Sequence, residues 1–253
     1  MLFNYHTHTK RCNHAEGEER EYIENAIKKG IKTLGFSDHA PYLFPKEANH
    51  YSGFRMRVDE MEDYVETVRA LAKEYQSDIR ILCGVELEYY PDYHQEEMEF
   101  LRSFSIDYCL LGQHILGNEL FIQTPRTGGD LALSYYVTQV LAGIATGDFL
   151  YIAHPDIAGY QFSGEAIERE YRRLCLGAKR KKIPLEINLL GIREKRHYPD
   201  ERFFKIAAEV GNQVVLGLDS HSPNSILDEK KSEEQALSMV EKLGLNLVKE
   251  PLL

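Results

Sequence analysis

Short apolar runs alternate along this chain with stretches of helical period. The runs predict strands over residues 2–8, 33–37, 79–85, 108–112, 149–153, 184–188 and 214–218. Between them, apolar residues spaced by three or four predict helices near 18–29, 58–76, 92–104, 131–146, 164–181, 200–210 and 232–243. In the first of these helices Ile23, Ala26 and Ile27 share one face. Continuously apolar strands separated by amphipathic helices call for a parallel sheet covered on its outer face. Two irregular stretches interrupt the pattern: a loop over 40–56 with Pro41, Pro45 and Gly53, and one after residue 112 with Gly117, Pro125 and Gly128-Gly129.

Each apolar run closes in a polar group able to bind metal or substrate. The closing residues are His6 and His8, Asp38-His39, Glu86, His114, His154, Glu186 and Asn188, and Asp219 with His221. The alternation alone fits an open doubly wound sheet or a closed barrel. In an open sheet of seven strands the outer two lie roughly 25–30 Å apart, too far to share a site. In a barrel every strand's C-terminal end meets at one mouth. The fold expected is therefore α/β, a single domain over residues 1–253 forming an irregular (β/α)7 TIM-like barrel.

A length of 253 residues suits one such domain. No segment has the length and apolarity of a membrane span, and residues 1–6 do not read as a signal peptide. The four cysteines, Cys12, Cys83, Cys109 and Cys175, lack CxxC spacing, so reduced thiols and a cytoplasmic location are expected. Cys12 differs in sitting in a polar loop beside His14. A formal net charge of −10 argues against long nucleic acid as a partner.

His6-Thr7-His8 places two imidazoles on the same side of a strand, and Asp219-Ser220-His221 repeats the spacing with an acid and an imidazole. Asp38 beside His39 suits a ligand with an orienting partner, and Glu86 suits a carboxylate bridging two cations. Ten histidines scattered at random would fall on helices and loops; six of them (6, 8, 39, 114, 154 and 221) fall at strand ends. The expectation is one polynuclear metal site. Nitrogen and oxygen donors without thiolate fit Zn, Mn or Fe.

The series His6-x-His8, His14, Asp38-His39, Glu86, His114, His154 and Asp219-x-His221 resembles the PHP superfamily (polymerase and histidinol phosphatase), and within it the stand-alone histidinol-phosphate phosphatases. The resemblance runs from residue 6 to 221. It implies three divalent transition-metal ions: one held by His6, His8, Glu86 and Asp219, a second by Glu86, His114 and His154, and a third by His14, His39 and His221. It also implies hydrolysis of a small phosphate ester, L-histidinol phosphate. Many relatives carry a basic residue shortly after the strand-five histidine; here the segment 157–161 has none.

Physical chemistry supplies the expected roles. Cations lower the pKa of water from about 15.7 to roughly 7 and offset phosphoryl charge. Asp219 is the expected proton relay to the leaving alkoxide. Arg193, just past strand six, is the expected phosphate clamp, with Arg126 second. Glu119 is the expected partner of a substrate amine, and Asn188 with Glu186 is expected to orient ligands or touch substrate. The rival readings are a PHP phosphodiesterase acting on small nucleotides and a metal-bound module without catalysis. The oligomeric state is left open.

Overall fold

In this computed structural model, which describes residues 1–48, 52–121, 129–158 and 162–253, parallel strands and helices alternate. The strands are β1 (Phe3–Asn4), β2 (Thr33–His39), β3 (Arg80–Leu87), β4 (Tyr108–Leu111), β5 (Leu185–Asn188), β6 (Gln213–Gly217) and β7 (Asn246–Leu247). The helices are α1 (Glu19–Lys29), α2 (Met61–Glu74), α3 (His94–Ser103), α4 (Gly129–Thr146), α5 (Gly164–Lys181), α6 (Leu189–Arg193), α7 (Glu201–Val210), α8 (Pro223–Asp228) and α9 (Lys230–Leu243). None is long and apolar enough to cross a membrane, among the described residues.

Two parallel sheets result, ordered β1-β2-β3-β4 and β5-β6-β7. Single-residue bridges from Ile152 to Leu111 and to Leu185 join them. A third bridge sets Thr7 against Ser220. The structure is thus one mixed α/β domain built on a curled parallel sheet.

The expected strand over 149–153 shrinks to that one bridging residue, Ile152. Backbone bonds still tie the run to both neighbours, from Leu150 N to Cys109 O, from Ile152 N to Pro184 O and from Ala153 N to Leu111 O, and it stops just beyond. His154 takes a positive φ of 29°, and its N–H donates to Glu186 Oε2 at 2.9 Å instead of to a ladder. Pro155 has no N–H to continue one. The first strand is shortened differently. The Asn4 side chain accepts from Leu218 N at 2.9 Å and donates to Thr7 Oγ1 at 2.7 Å, replacing ladder bonds across the seam.

Alternation within the strands sorts two apolar layers. Leu82, Leu110 and Val215 point inward with Phe3, Tyr5, Tyr108 and Tyr151. Ile81, Cys83 and Val85 point outward into the larger core beneath the helices. The Tyr108 hydroxyl donates across the interior to Tyr5 O (2.6 Å) and Phe36 O (3.0 Å). Helix ends follow the sequence: Ser163 caps α5 by accepting from Ala166 N, Asp200 caps α7 by accepting from Arg202 N, and Gly211 ends α7 at φ 76°.

Candidate metal centre

Because the strands are parallel, their C-terminal ends deliver the polar groups to one mouth. His6 and His8 arrive just past β1, His39 and Glu86 close β2 and β3, and His114 and His154 follow β4 and the Ile152 bridge. Asp219 and His221 follow β6, and His14 turns back from the loop before α1.

Four buried atoms converge without any hydrogen-bond partner: His6 Nε2, His8 Nε2, Glu86 Oε2 and Asp219 Oδ1. His6 Nε2 is 3.5 Å from both Glu86 Oε2 and Asp219 Oδ1. His8 Nε2 is 3.5 Å and 3.1 Å from the same two oxygens. Donors about 2.0–2.2 Å from a tetrahedral divalent ion lie about 3.3–3.6 Å apart, so this spacing fits such an ion. Buried polar atoms left unpaired would otherwise be costly. The residues present therefore fit a divalent metal.

The other carboxylate oxygen of Glu86 faces a second group. Oε1 is 2.8 Å from His154 Nε2 and 3.7 Å from His114 Nε2. His14, His39 and His221 form a third group whose ligand atoms all lie within 4.8 Å of one another, with His221 Nε2 and His14 Nε2 3.0 Å apart. Cys12 lies close by: its thiol is buried with His8 and His221 nearby, and donates to Thr9 O at 3.1 Å.

A layer of carboxylates and carbonyls behind the imidazoles fixes their rings. His6 Nδ1 lies 2.8 Å from Glu186 Oε1, and His114 Nδ1 lies 2.9 Å from Glu88 Oε1. His8 Nδ1 is 3.4 Å from Asp38 Oδ1, and His14 Nδ1 is 2.8 Å from Cys12 O. Two glycines make room for these acids. A Cβ at Gly112 would overlap Glu86 Oε1, and one at Gly217 would overlap Glu186 Oε1.

The electrostatics follow from this crowding. Burial alone would lift Glu86, yet His39, His6, His114 and a hydrogen bond from His154 hold it well below the usual carboxylate range. Asp219 is held low in the same way, by His6, His8 and His221 against its burial. Burial, with His8 and His14 nearby, pushes His221 down to about 3, against the pull of Asp219. A neutral imidazole is the form that binds metal.

Above the donors lies a cavity of about 460 Å³. One wall carries His14, His39, Glu86, His114, His154, Asp219 and His221. The others are apolar (Phe54, Ile115, Ile157, Leu190) and charged or phenolic (Glu194, Arg196, Tyr198).

Arg193 and Glu119, expected to touch substrate, are paired within the protein, and Asn188 takes the orienting one of its two expected roles. The Arg193 guanidinium is ion-paired with the fully buried Glu229 and is not among the cavity-lining side chains. It is Arg196, three residues past the end of α6, that lines the cavity, with Nε 2.8 Å from Glu194 Oε2 and Nη1 2.6 Å from the Tyr198 hydroxyl. Glu119 is buried against Arg55 at 3.1 Å and Ser52 Oγ at 2.8 Å, so its charge is already matched. Asn188 uses its amide within the protein, donating to Glu186 Oε2 and Asp219 Oδ2 (both 3.0 Å) and accepting from Gly191 N at 2.9 Å. It positions Asp219 rather than substrate. Arg126 lies outside the described residues.

Sequence reading missed Glu88, Arg196, Tyr198 and Phe54. Glu88 was signalled by its spacing, two residues past Glu86 and so toward the same side.

A curled parallel α/β sheet with a histidine- and carboxylate-lined mouth defines a metal-binding class of site. Residues 4–189 match the PHP domain model, and the chain belongs to the PHP domain family. A "Probable histidinol-phosphatase" of Deinococcus radiodurans is 28% identical over 235 residues, covering 89% of this chain and 88% of that protein. A "Probable phosphatase" of Shewanella pealeana is 29% identical over 260 residues, covering 100% and 91%. Among solved structures, histidinol phosphate phosphatase of Lactococcus lactis, complexed with Zn, L-histidinol and phosphate, superposes with a TM-score of 0.72. It is 20% identical, over 98% of this chain and 95% of that one.

Proposed function

We propose that this chain is a metal-dependent phosphomonoesterase that hydrolyses L-histidinol phosphate to L-histidinol and phosphate. The observation that carries the chemistry is the convergence of four unpartnered donors, His6, His8, Glu86 and Asp219, at the spacing of a tetrahedral ion. The names of the Deinococcus and Lactococcus proteins support the substrate.

Three ions are proposed: one on His6, His8, Glu86 and Asp219, one on Glu86, His114 and His154, and one on His14, His39 and His221. The donor chemistry suits Zn, Mn or Fe. When bound, they would lower the pKa of water from about 15.7 to roughly 7 and offset the charge of the phosphoryl oxygens. Glu86 spans two groups with its two oxygens. Asp219 is the proposed proton carrier to the leaving oxygen, with Asn188 holding its Oδ2. Arg196 takes the role of phosphate clamp, because it faces the cavity while Arg193 is committed to Glu229. Glu186, Glu88 and Asp38 keep the imidazoles turned inward.

The same reading takes the three single-residue bridges as the remaining seams of a closed (β/α)7 barrel, with Ile152 as its fifth stave, β5 and β6 as the sixth and seventh, and the two-residue β7 outside the ring. It takes residues 1–253 as one PHP domain, since Asp219 and His221 lie beyond the matched 4–189 yet share the donor cluster. Four buried free thiols suit a reducing, cytoplasmic compartment.

The test is phosphate release from histidinol phosphate, set against cyclic and bis-phosphorylated nucleotides, with metal analysis on the same sample. Histidinol phosphate should lead by orders of magnitude in kcat/KM, with about three transition ions per chain. A lead for the nucleotides would make the chain a phosphodiesterase, and a chain without ions would be no metalloenzyme.

A further inference from the structure

Beside the donors the cavity is lined by apolar side chains, and the aromatic one among them is held by several contacts. Phe54 lines the cavity and meets the His39 ring edge-on, with centroids 5.7 Å apart at 85°. The Arg55 guanidinium lies over one side of the Phe54 ring, 4.5 Å from its centroid, and 5.2 Å from that of Tyr42.

Arg55 is itself 2% exposed. Its Nε donates to Glu119 at 3.1 Å and its Nη1 to Ala40 O at 3.0 Å. Its carbonyl accepts from Asn13 Nδ2 at 3.2 Å, and the next residue, Met56, donates its N–H to His39 O at 3.2 Å. The segment bearing Phe54 is thereby tied to the loops after three different strands. Such anchoring holds a ring at a set distance from the donors.

We propose that Phe54 is the specificity-determining residue for the alcohol half of the phosphate ester, and that Arg55 is its positioning residue. The inference rests on the phosphomonoesterase reading. With the phosphoryl group at the donors and Arg196, the alcohol meets Phe54, Ile115, Ile157 and Leu190, the apolar side chains that line the same cavity. The guanidinium over the Phe54 ring fixes its plane, and the ring lines the cavity. A flat aromatic or heteroaromatic ring, carried on a short chain from the ester oxygen, is the group that such a lining selects. An aliphatic polyol in the same place would lose its water without gaining partners on these walls.

The experiment compares kcat/KM for ring-bearing esters (histidinol phosphate and phenyl phosphate) with that for glycerol phosphate, in wild type and in Phe54→Ala. Inhibition by inorganic phosphate and the metal content report whether the donor wall is intact. In Phe54→Ala the ratio of ring-bearing to polyol esters should fall about tenfold or more, carried by KM, with the phosphate inhibition constant unchanged. Arg55→Lys should give the same direction of change, and Phe54→Tyr should restore the ratio. An unchanged ratio in Phe54→Ala, or parallel losses for all esters with phosphate still bound, overturns the proposal. If wild type hydrolyses phenyl phosphate but not histidinol phosphate, the substrate assignment fails, and the phenyl-to-glycerol ratio still decides the role of Phe54.

Discussion

Glu86 Oε1 lies 2.8 Å from His154 Nε2, although 68 residues separate the two in the chain. Glu86 is also 3.5 Å from His6 and His8 and 3.1 Å from His39 through its other oxygen. One carboxylate thus touches donors from three strand ends. Glu86→Ala should lower the metal content of purified protein and reduce kcat/KM by about a thousandfold or more. Elemental analysis beside phosphate-release kinetics checks both, and normal metal content in the variant would remove Glu86 from the bridging role.

Glu88 acts one step further back. Its Oε1 receives both His114 Nδ1, at 2.9 Å, and His114 N, at 3.1 Å. Glu88→Gln keeps the shape but weakens the orientation of the ring. Metal affinity should fall about 10–100-fold, measured by competition with a chelator. Affinity equal to wild type would show that the backbone alone sets His114.

Arg193 and Arg196 should separate cleanly. Arg196→Ala should raise KM for the phosphate ester while leaving metal content intact. Arg193→Ala leaves the buried Glu229 carboxylate without its cation, which costs about 3–5 kcal/mol when a buried pair is broken. Its signature is a lower melting temperature. A raised KM in Arg193→Ala with unchanged stability would reverse these roles.

Glu97 makes stability depend on pH. Burial lifts its carboxyl to about 8 from 4.5, opposed by a backbone hydrogen bond from Leu43. Between those values the folded chain keeps a proton that the unfolded chain releases. This contribution to stability is present in full below pH 4.5 and is lost as the pH rises toward 8. Glu97→Gln removes the slope. At pH 8.5 the variant should melt roughly 5 °C or more above wild type, and at pH 4.5 the two should agree. Parallel melting curves across the range would contradict the account.

Much of this architecture was legible because strand ends in a parallel sheet point one way, so a polar residue closing an apolar run carries spatial information. The fifth run pairs with both neighbours through single backbone bonds and one bridging residue, Ile152, a sparseness that apolar content does not signal. Arg193 and Arg196 were not separable by position. The partner that decides between them, Glu229, lies far along the chain at the start of α9. Glu119 failed as a free acid for the same reason, since Arg55 arrives from another loop. Charge pairing across long sequence separations is what the linear pattern does not contain.

The seam at Asn4 has a consequence for biosynthesis. His6, emerging among the first residues, shares its donor cluster with Asp219, and its neighbour Asn4 is latched by Leu218. A ribosome must therefore release more than two hundred residues before that ion cradle can exist. Until then the early imidazoles lack the acid that completes their site, so filling it with ions belongs to the end of translation or after it.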